Sequence, residues 1–309
     1  MILCVCLSPA VDLTYRTDEF VVGATNRVRE VLSRPGGKAV NVARVLHALG
    51  EPTQVLLPLG GDTGDDVARG LAALGIATSV VASGRATRRT VTVVDGASGS
   101  ATVLVEPALV DCWPEMVRVF LSLLAAAEVI VLIGAVPSGA PEDAMSALVG
   151  LAKAAGLPVL VDTSGEALVD ALFAGPTAVK PNADELAQVS PGSDPLKAAR
   201  ALAEKYATTV VASLGSDGVV AATSDSAWVA SPAAVLEGNP TGAGDAMVAG
   251  LARALRADPG MTDLAEALRD CVALAAAAVL SPVAGEVDME TYAVQRQGVV
   301  VRELGGVSG

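Results

Sequence analysis

The sequence predicts an α/β protein: one large, mainly parallel sheet with helices on both faces, and a small second sheet projecting from it. Three observations carry that expectation. From about residue 128 onward, short apolar runs alternate with longer stretches whose apolar residues recur at helical spacing, as βα units require. Earlier in the chain, two β-rich stretches at about 11–22 and 87–105 break the alternation and read as a separate small sheet, a candidate lid. Finally, 52% of the residues are hydrophobic but only 3% aromatic, which suits Ala-rich helices packed on Val-rich strands.

Residues 1–7 form a short apolar run, typical of a strand buried on both faces. Arg34-Pro35-Gly36-Gly37 breaks the chain. A helix starts near Lys38, with Val42, Val45, Leu46 and Leu49 at helical spacing, and stops at Gly50. A strand over 53–59, a helix over 63–74 and a stop at Gly75 repeat the pattern. Segments 87–94 and 100–105 flank Asp95-Gly96-Ala97-Ser98-Gly99, a hairpin signal. Strands are expected next over 129–133, 158–162, 178–180 and 208–213, with helices over 141–155 and 195–206. A hairpin around 219–229 precedes helices over 241–255 and 264–280. No Pro/Ser-rich linker interrupts residues 1–309, so a single domain is expected, with the lid as its elaboration.

The net charge of −13 argues against nucleic acid or an anionic membrane as partner. Of the 21 basic residues, eight fall in two short stretches: Arg27, Arg29, Arg34, Lys38 and Arg44, then Arg85, Arg88 and Arg89. Such clusters suit local capture of a phosphate, or simply a solvated face. The apolar run 121–136 carries Glu128, and 271–280 is too short to span a bilayer. With no basic leader before Asp12, the expectation is a cytoplasmic protein. Cys4, Cys6, Cys112 and Cys271 make no metal-binding spacing and read as reduced thiols. The single histidine, His47, reads as a solvent-facing helical residue, and no nucleophile elbow accompanies it.

Chemistry concentrates at Asn239-Pro240-Thr241-Gly242-Ala243-Gly244-Asp245, just before an apolar helical run. Gly242 and Gly244 let backbone N–H groups crowd at a helix N-terminus, where the dipole favours an anion such as developing phosphoryl charge. Asp245 then stands where an incoming hydroxyl would lie and could take its proton. A dinucleotide fingerprint fails because Met247 occupies the third glycine position, and a phosphate-binding P-loop fails because Gly37-Lys38 is followed by Ala39. A Gly-rich turn with Asp245 as a helix cap remains the plain alternative at this stage.

In order along nearly the whole chain, these segments resemble the ribokinase-like (PfkB) carbohydrate kinases, specifically the 1-phosphofructokinase/tagatose-6-phosphate kinase branch. The matching pieces are Ser8-Pro9-Ala10-Val11-Asp12, Gly36-Gly37-Lys38-Ala39-Val40-Asn41-Val42-Ala43 and Thr87-Arg88. They continue with Asp162-Thr163-Ser164-Gly165-Glu166-Ala167-Leu168, Lys180-Pro181-Asn182-Ala183-Asp184-Glu185, Ser213-Leu214-Gly215 and Asn239 to Asp245. The resemblance implies a three-layer sandwich and transfer of phosphate from ATP to fructose 1-phosphate or tagatose 6-phosphate. It implies Asp245 as base beside an anion hole of Gly242, Ala243 and Gly244. Asp12, Gly36, Gly37 and Asn41 would meet the sugar, and Lys38, Arg88 and Arg27 its phosphate. Lys180, Asn182, Ser213, Gly215, Gly218 and Thr241 would bind the nucleotide. Glu185 and Asp162 would hold Mg2+ through water.

The resemblance further implies an adenine walled by 271–280 and 282–285, and a homodimer through the lid. Three departures, Ala39, Ala135 and Ala108, fall on the substrate side and leave the sugar open. Ala39 is expected to narrow the sugar pocket. An unphosphorylated sugar as acceptor, or a degenerate sugar-phosphate sensor, are the other readings. The helix N-terminus is expected to hold Asp245 ionised at neutral pH.

Overall fold

The structure, a computed structural model, describes residues 1–190, 192 and 194–305. The first part of the chain forms β1 (Ile2–Val5), β2 (Ala10–Thr17), β3 (Val28–Gly36), α1 (Lys38–Ala48), β4 (Thr53–Leu59), α2 (Gly61–Ala73), β5 (Ala77–Ala82), β6 (Arg88–Asp95), β7 (Ala101–Val105) and α3 (Trp113–Leu123). Then follow β8 (Val129–Ile133), α4 (Ala144–Ala154), β9 (Val159–Asp162), α5 (Gly165–Phe173), β10 (Ala178–Val179), α6 (Ala183–Val189), α7 (Pro195–Tyr206) and β11 (Thr209–Ser213). The chain closes with β12 (Val219–Ala222), β13 (Ala227–Ser231), α8 (Ala243–Ala257), α9 (Leu264–Ala278), α10 (Met289–Gly298) and β14 (Val300–Glu303).

Among the described residues, ten strands form one sheet in the order β14-β13-β12-β11-β10-β9-β8-β1-β4-β5. Pairing is parallel from β5 to β11 and antiparallel across β11 to β14. β1 shows why a short apolar run can specify a central strand. Ile2 and Cys4 face one apolar cluster with α1, α8 and α9; Leu3 and Val5 face another with α3, α4, α5 and α7. Side chains alternate across a strand, so both faces must be apolar when both are covered. Three layers result, and no helix among the described residues is long and apolar enough to cross a membrane.

β1 lies between β4 and β8, so the direction of strand succession reverses there. Loops leaving neighbouring strand ends diverge at such a point and open a crevice. Asp162, Lys180 and Ser213 stand at or just beyond the C-terminal ends of β9, β10 and β11.

The second sheet has the order β3-β2-β6-β7, with β2 and β6 parallel and the outer pairs antiparallel. Its boundaries correct the sequence reading. Residues 18–22 lie outside any strand, and the segment read as a break at 34–37 instead ends a nine-residue strand, β3. β3 reads VREVLSRPG, with no clean apolar alternation, because most of it is exposed. Register aligns Arg34, Asp12, Thr90 and Val105 in one row across the sheet, on one face.

α8 and α9 pack closely because small residues meet between them. A Cβ on Gly250 would lie 2.7 Å from Cys271 Cα. Alanine would gain about 1 kcal/mol in helix propensity, but overpacking against backbone costs about 1–3 kcal/mol. Gly250→Ala should therefore lower unfolding stability by up to about 2 kcal/mol in a urea titration. An increase would show that the helices can separate at no cost.

Candidate active site

A cleft of about 1090 Å³ opens beyond the C-terminal ends of β9, β10 and β11, between them, the second sheet and α8–α9. At its floor Asp162 and Lys180 are 2% and 3% exposed, with Lys180 Nζ 3.3 Å from Asp162 Oδ2. Lys38, at the first position of α1, brings its Nζ to 3.8 Å from Asp162 Oδ1. Asp162, with Asp245 and Glu185 beyond it, holds the Lys38 ammonium above the usual range against the pull of burial. Asp162 Oδ1 is buried yet has no hydrogen-bond partner. The Lys38 charge lies near it, but the oxygen keeps an acceptor position that no protein donor fills.

Gly242 supplies the turn into α8. Its φ of +92° lies in the left-handed region, and a Cβ there would stand 2.8 Å from Ala284 Cα. Only glycine meets both demands at low cost. No side chain caps α8, and among the described residues the N–H groups of Gly244 and Asp245 donate to no protein acceptor. They are left for an anion.

Asp245, 7% exposed, is held sideways: its Oδ2 accepts a 2.9 Å bond from Asn41 Nδ2. The capping alternative for Asp245 therefore falls. Burial pushes its carboxyl up to about 6; Asn41, Lys38 and Lys180 oppose this, and Asp162 adds to it. The carboxyl is therefore still mostly ionised at neutral pH, but its value is raised by burial and not kept low by the helix end as expected, which brings its titration close to neutral. Asp245 stands in the first turn of α8, where the dipole favours the anion, but desolvation of the buried side chain is the larger effect.

Asp12 leans across the second sheet over Gly36, where a Cβ would fall 2.1 Å from the Asp12 carboxyl carbon. The bare backbone of Gly36 is what admits this carboxylate. Burial pushes Asp12 up to about 6, against Arg88, Thr90 and Arg44. Arg88 donates to the carbonyls of Glu106 at 3.1 Å and Ser8 at 3.2 Å, leaving its buried Nε unpaired.

Most of the residues singled out by sequence do line this cleft. Beside the second sheet and α1 they are Asp12, Gly37, Lys38, Asn41 and Arg88; along the strand ends they are Asp162, Lys180, Asn182, Glu185, Ser213, Gly215 and Gly218; at α8 they are Thr241, Gly242, Ala243, Gly244 and Asp245. Gly36 lies beneath Asp12 instead. Arg27 sits exposed in the loop before β3, off the cleft. Ala39, expected beside the sugar, is 0% exposed and belongs to the core. The basic clusters do not converge either: Arg29 pairs with Asp18, Arg34 and Arg44 with Glu286, and Lys38 and Arg88 are the members that reach the cleft.

Asn182 and Glu185 form a reciprocal capping box at α6. Asn182 Oδ1 accepts from Glu185 N and Glu185 Oε2 from Asn182 N, both at 2.8 Å. Glu185 Oε1 stays outside that exchange. Val272, Ala275 and Ala276 of α9, with Val279 just beyond it, wall the far end, and the 282–285 loop does not. The opposite wall is the 232–238 loop, with Pro232, Val235 and Leu236. Its sequence carries no periodic signal. Thr90 and Val105 were also missed, although counting by twos from Arg88 would have placed Thr90 on the face of Asp12.

Residues 1–291 match the sequence pattern of the pfkB family carbohydrate kinases. Phosphofructokinase-2 from Escherichia coli superposes with a TM-score of 0.88 at 27% identity, covering 96% of this chain and 98% of that one. The same enzyme in complex with fructose-6-phosphate gives 0.84 at 28%, covering 95% and 98%. A 1-phosphofructokinase-like protein from Thermotoga maritima gives 0.84 at 23%, covering 98% and 99%, a likeness of fold. The architecture is thus the ribokinase-like one.

The raised carboxyl of Asp245 has a consequence for stability. Its folded value, about 6, lies above the ordinary 3.8, so the folded form binds the proton more tightly. That contribution is complete below the unfolded value and is lost as pH rises through the folded one. Asp245→Asn, which does not ionise, should therefore be more stable than the parent above pH 6, with the advantage shrinking toward pH 4. Denaturant midpoints at both pH values test this; lower stability of the variant at pH 7 would refute the assignment of burial as the dominant effect.

Proposed function

The chain belongs to the pfkB family of carbohydrate kinases, and on that premise we propose that it transfers the γ-phosphoryl group of Mg·ATP to a hydroxyl of a ketohexose phosphate. The observation that carries this reading is the pairing of Asp245 with the unused N–H groups of its own helix turn. A hydroxyl placed against Asp245 would give up its proton to the carboxylate as its oxygen bonds to phosphorus. The bond to the ADP oxygen breaks in the same transfer, and the N–H groups meet the charge of the moving group. An aspartate with a value near 6 is a stronger acceptor than an ordinary one, yet ionised at neutral pH.

Asp12 and Asn41 offer an acceptor and a donor to sugar hydroxyls, with Gly37 allowing close backbone approach. Arg88 and Lys38 supply charge for the sugar phosphate; Arg27 would have to reach it from outside the cleft. Lys180, Asn182, Ser213, Gly215, Gly218 and Thr241 line the side proposed for the nucleotide. Magnesium fits this donor set only as a solvated ion. No group of three metal-binding side chains occurs among the described residues, but the unpaired Asp162 Oδ1 and the free Glu185 Oε1 could hold its waters. The bound ion would neutralise charge on the β- and γ-phosphates.

Fructose 1-phosphate and tagatose 6-phosphate are the acceptors favoured by the sequence motifs. Fructose 6-phosphate joins them because the phosphofructokinase-2 neighbour is described in complex with it. Ala39, the departure that favoured a degenerate sensor, lies in the core, so we set that reading aside. The cytoplasm, where ATP and sugar phosphates meet, is the proposed location. A homodimer through the second sheet is supported by exposed Val103 and Val105 on the Asp12 face, and by exposed Val31. Apolar edges of this kind seek a partner.

ADP release over fructose 1-phosphate, tagatose 6-phosphate, fructose 6-phosphate and free fructose tests the proposal. Turnover should appear with a phosphorylated ketohexose, fall below about pH 6 as Asp245 takes up a proton, and drop about 10²–10⁴-fold in kcat in Asp245→Asn. Near-parental turnover in that variant ends the base assignment, and activity confined to free fructose ends the sugar-phosphate reading. Light scattering after size exclusion should return twice the 30.8 kDa chain mass, and Val103→Asp should shift it toward one; a monomeric parent excludes the dimer.

A further inference from the structure

Glu286 lines no part of the cleft, yet its carboxylate joins three pieces of the molecule. One oxygen, Oε1, accepts from Arg44 Nη2 at 2.8 Å and from Arg34 Nη1. Arg44 stands on α1, three residues after Asn41, and its Nη1 also donates to the Ala284 carbonyl at 3.3 Å. Arg34 stands on β3, in the cross-strand row that carries Asp12.

The loop held in this way backs directly onto the reacting end of the cleft. Gly285 N lies 3.3 Å from the position of a Cβ on Gly242, and Gly285 itself backs onto Asn41, whose Cα is 3.0 Å from a Cβ there. Asn239 Nδ2 donates to the Pro282 carbonyl at 3.2 Å, fastening the same loop to the turn before α8. Arg44 is largely buried, with a side chain 9% exposed, so losing its counter-ion would strand a buried cation rather than a solvated one.

We propose that Glu286 is a positioning residue for phosphoryl transfer. Through Arg44 it seats the 282–286 loop against Gly242 and Asn41, and through Arg34 it fixes the second sheet to that loop. The sheet that carries Asp12 and the helix turn that carries Asp245 then share one geometry, so the sugar end and the phosphoryl end of the cleft cannot shift independently. The inference rests on the kinase reading above for its catalytic part alone; the mechanical coupling does not depend on it.

Glu286→Gln keeps the shape and removes the charge. Amide hydrogen exchange and steady-state kinetics on one preparation are the test. We expect exchange to quicken in peptides covering 239–246 and to stay unchanged in α4, on the opposite face of the large sheet. We expect kcat to fall about 10–100-fold while KM for ATP stays within about twofold. Arg34→Met cuts only the sheet-side arm and should lower kcat in the same direction by less. If Glu286→Gln does not fold, Arg34→Met decides: reduced kcat with unchanged KM for ATP supports the proposal, and parental kcat overturns it. Parental exchange in 239–246, or faster exchange everywhere as a merely structural lesion would give, also overturns it. The exchange readout needs no turnover, so an error in assigning Asp245 as base leaves it interpretable.

Discussion

Asn41 donates one hydrogen bond to Asp245, and that bond joins the two helices that define the cleft. α1 begins at the Gly37 turn beside the second sheet, and α8 begins at the Gly242 turn beside the large one. A buried carboxylate with no partner would be costly in any protein. Here one amide donor, with Lys38 and Lys180 nearby, keeps it tolerable while its other oxygen takes no protein hydrogen bond. The glycines at 36, 242 and 285 can be understood from this bond outward. Each removes a Cβ that would collide with Asp12, Ala284 or Asn41.

The site also resolves an apparent contradiction in charge. A chain with net charge −13 is a poor receptor for phosphates at long range. Yet at the floor of the cleft Lys180 and Lys38 flank Asp162, and Arg88 lies above with an unpaired Nε. Lys180 is buried, Arg88 is partly so and Lys38 is half-exposed, and charges placed there act at short range with less screening than those on the surface. The aspartate between the two lysines prevents them from repelling each other apart when no anion is bound.

Much of this was legible in the sequence, for reasons that differ by residue. The turn at 241–245 announces itself because only closely spaced glycines before an apolar helix make a nest of N–H groups. β1, β4 and β8 were legible because strands covered on both faces have little choice but apolar residues. β3 was not, since an exposed strand is under no such constraint and its Arg, Ser and Pro read as loop. The basic stretch at 27–44 misled because neighbours in sequence were taken as neighbours in space. Strand alternation and the turn at Gly37 send Arg29 to Asp18 and Lys38 to Asp162, while Arg34 and Arg44 meet on Glu286, off the cleft. The upward shift of Asp245 was missed because burial, its dominant cause, is a tertiary property that no local pattern carries. Ala39 was placed beside the sugar by motif position alone; helix periodicity turns it inward.

The place of β1 in the sheet has a bearing on how the chain is made. Its neighbours are residues 53–56 on one side and 129–132 on the other. A ribosome adding about 5–20 residues per second leaves roughly 6–25 s between the emergence of β1 and that of its second neighbour. Throughout that interval a wholly apolar strand, Ile2 to Val5, has an open edge on the nascent chain. β1 is thus enclosed on its second edge long after it is made, and that interval is when a holding chaperone has the most to cover.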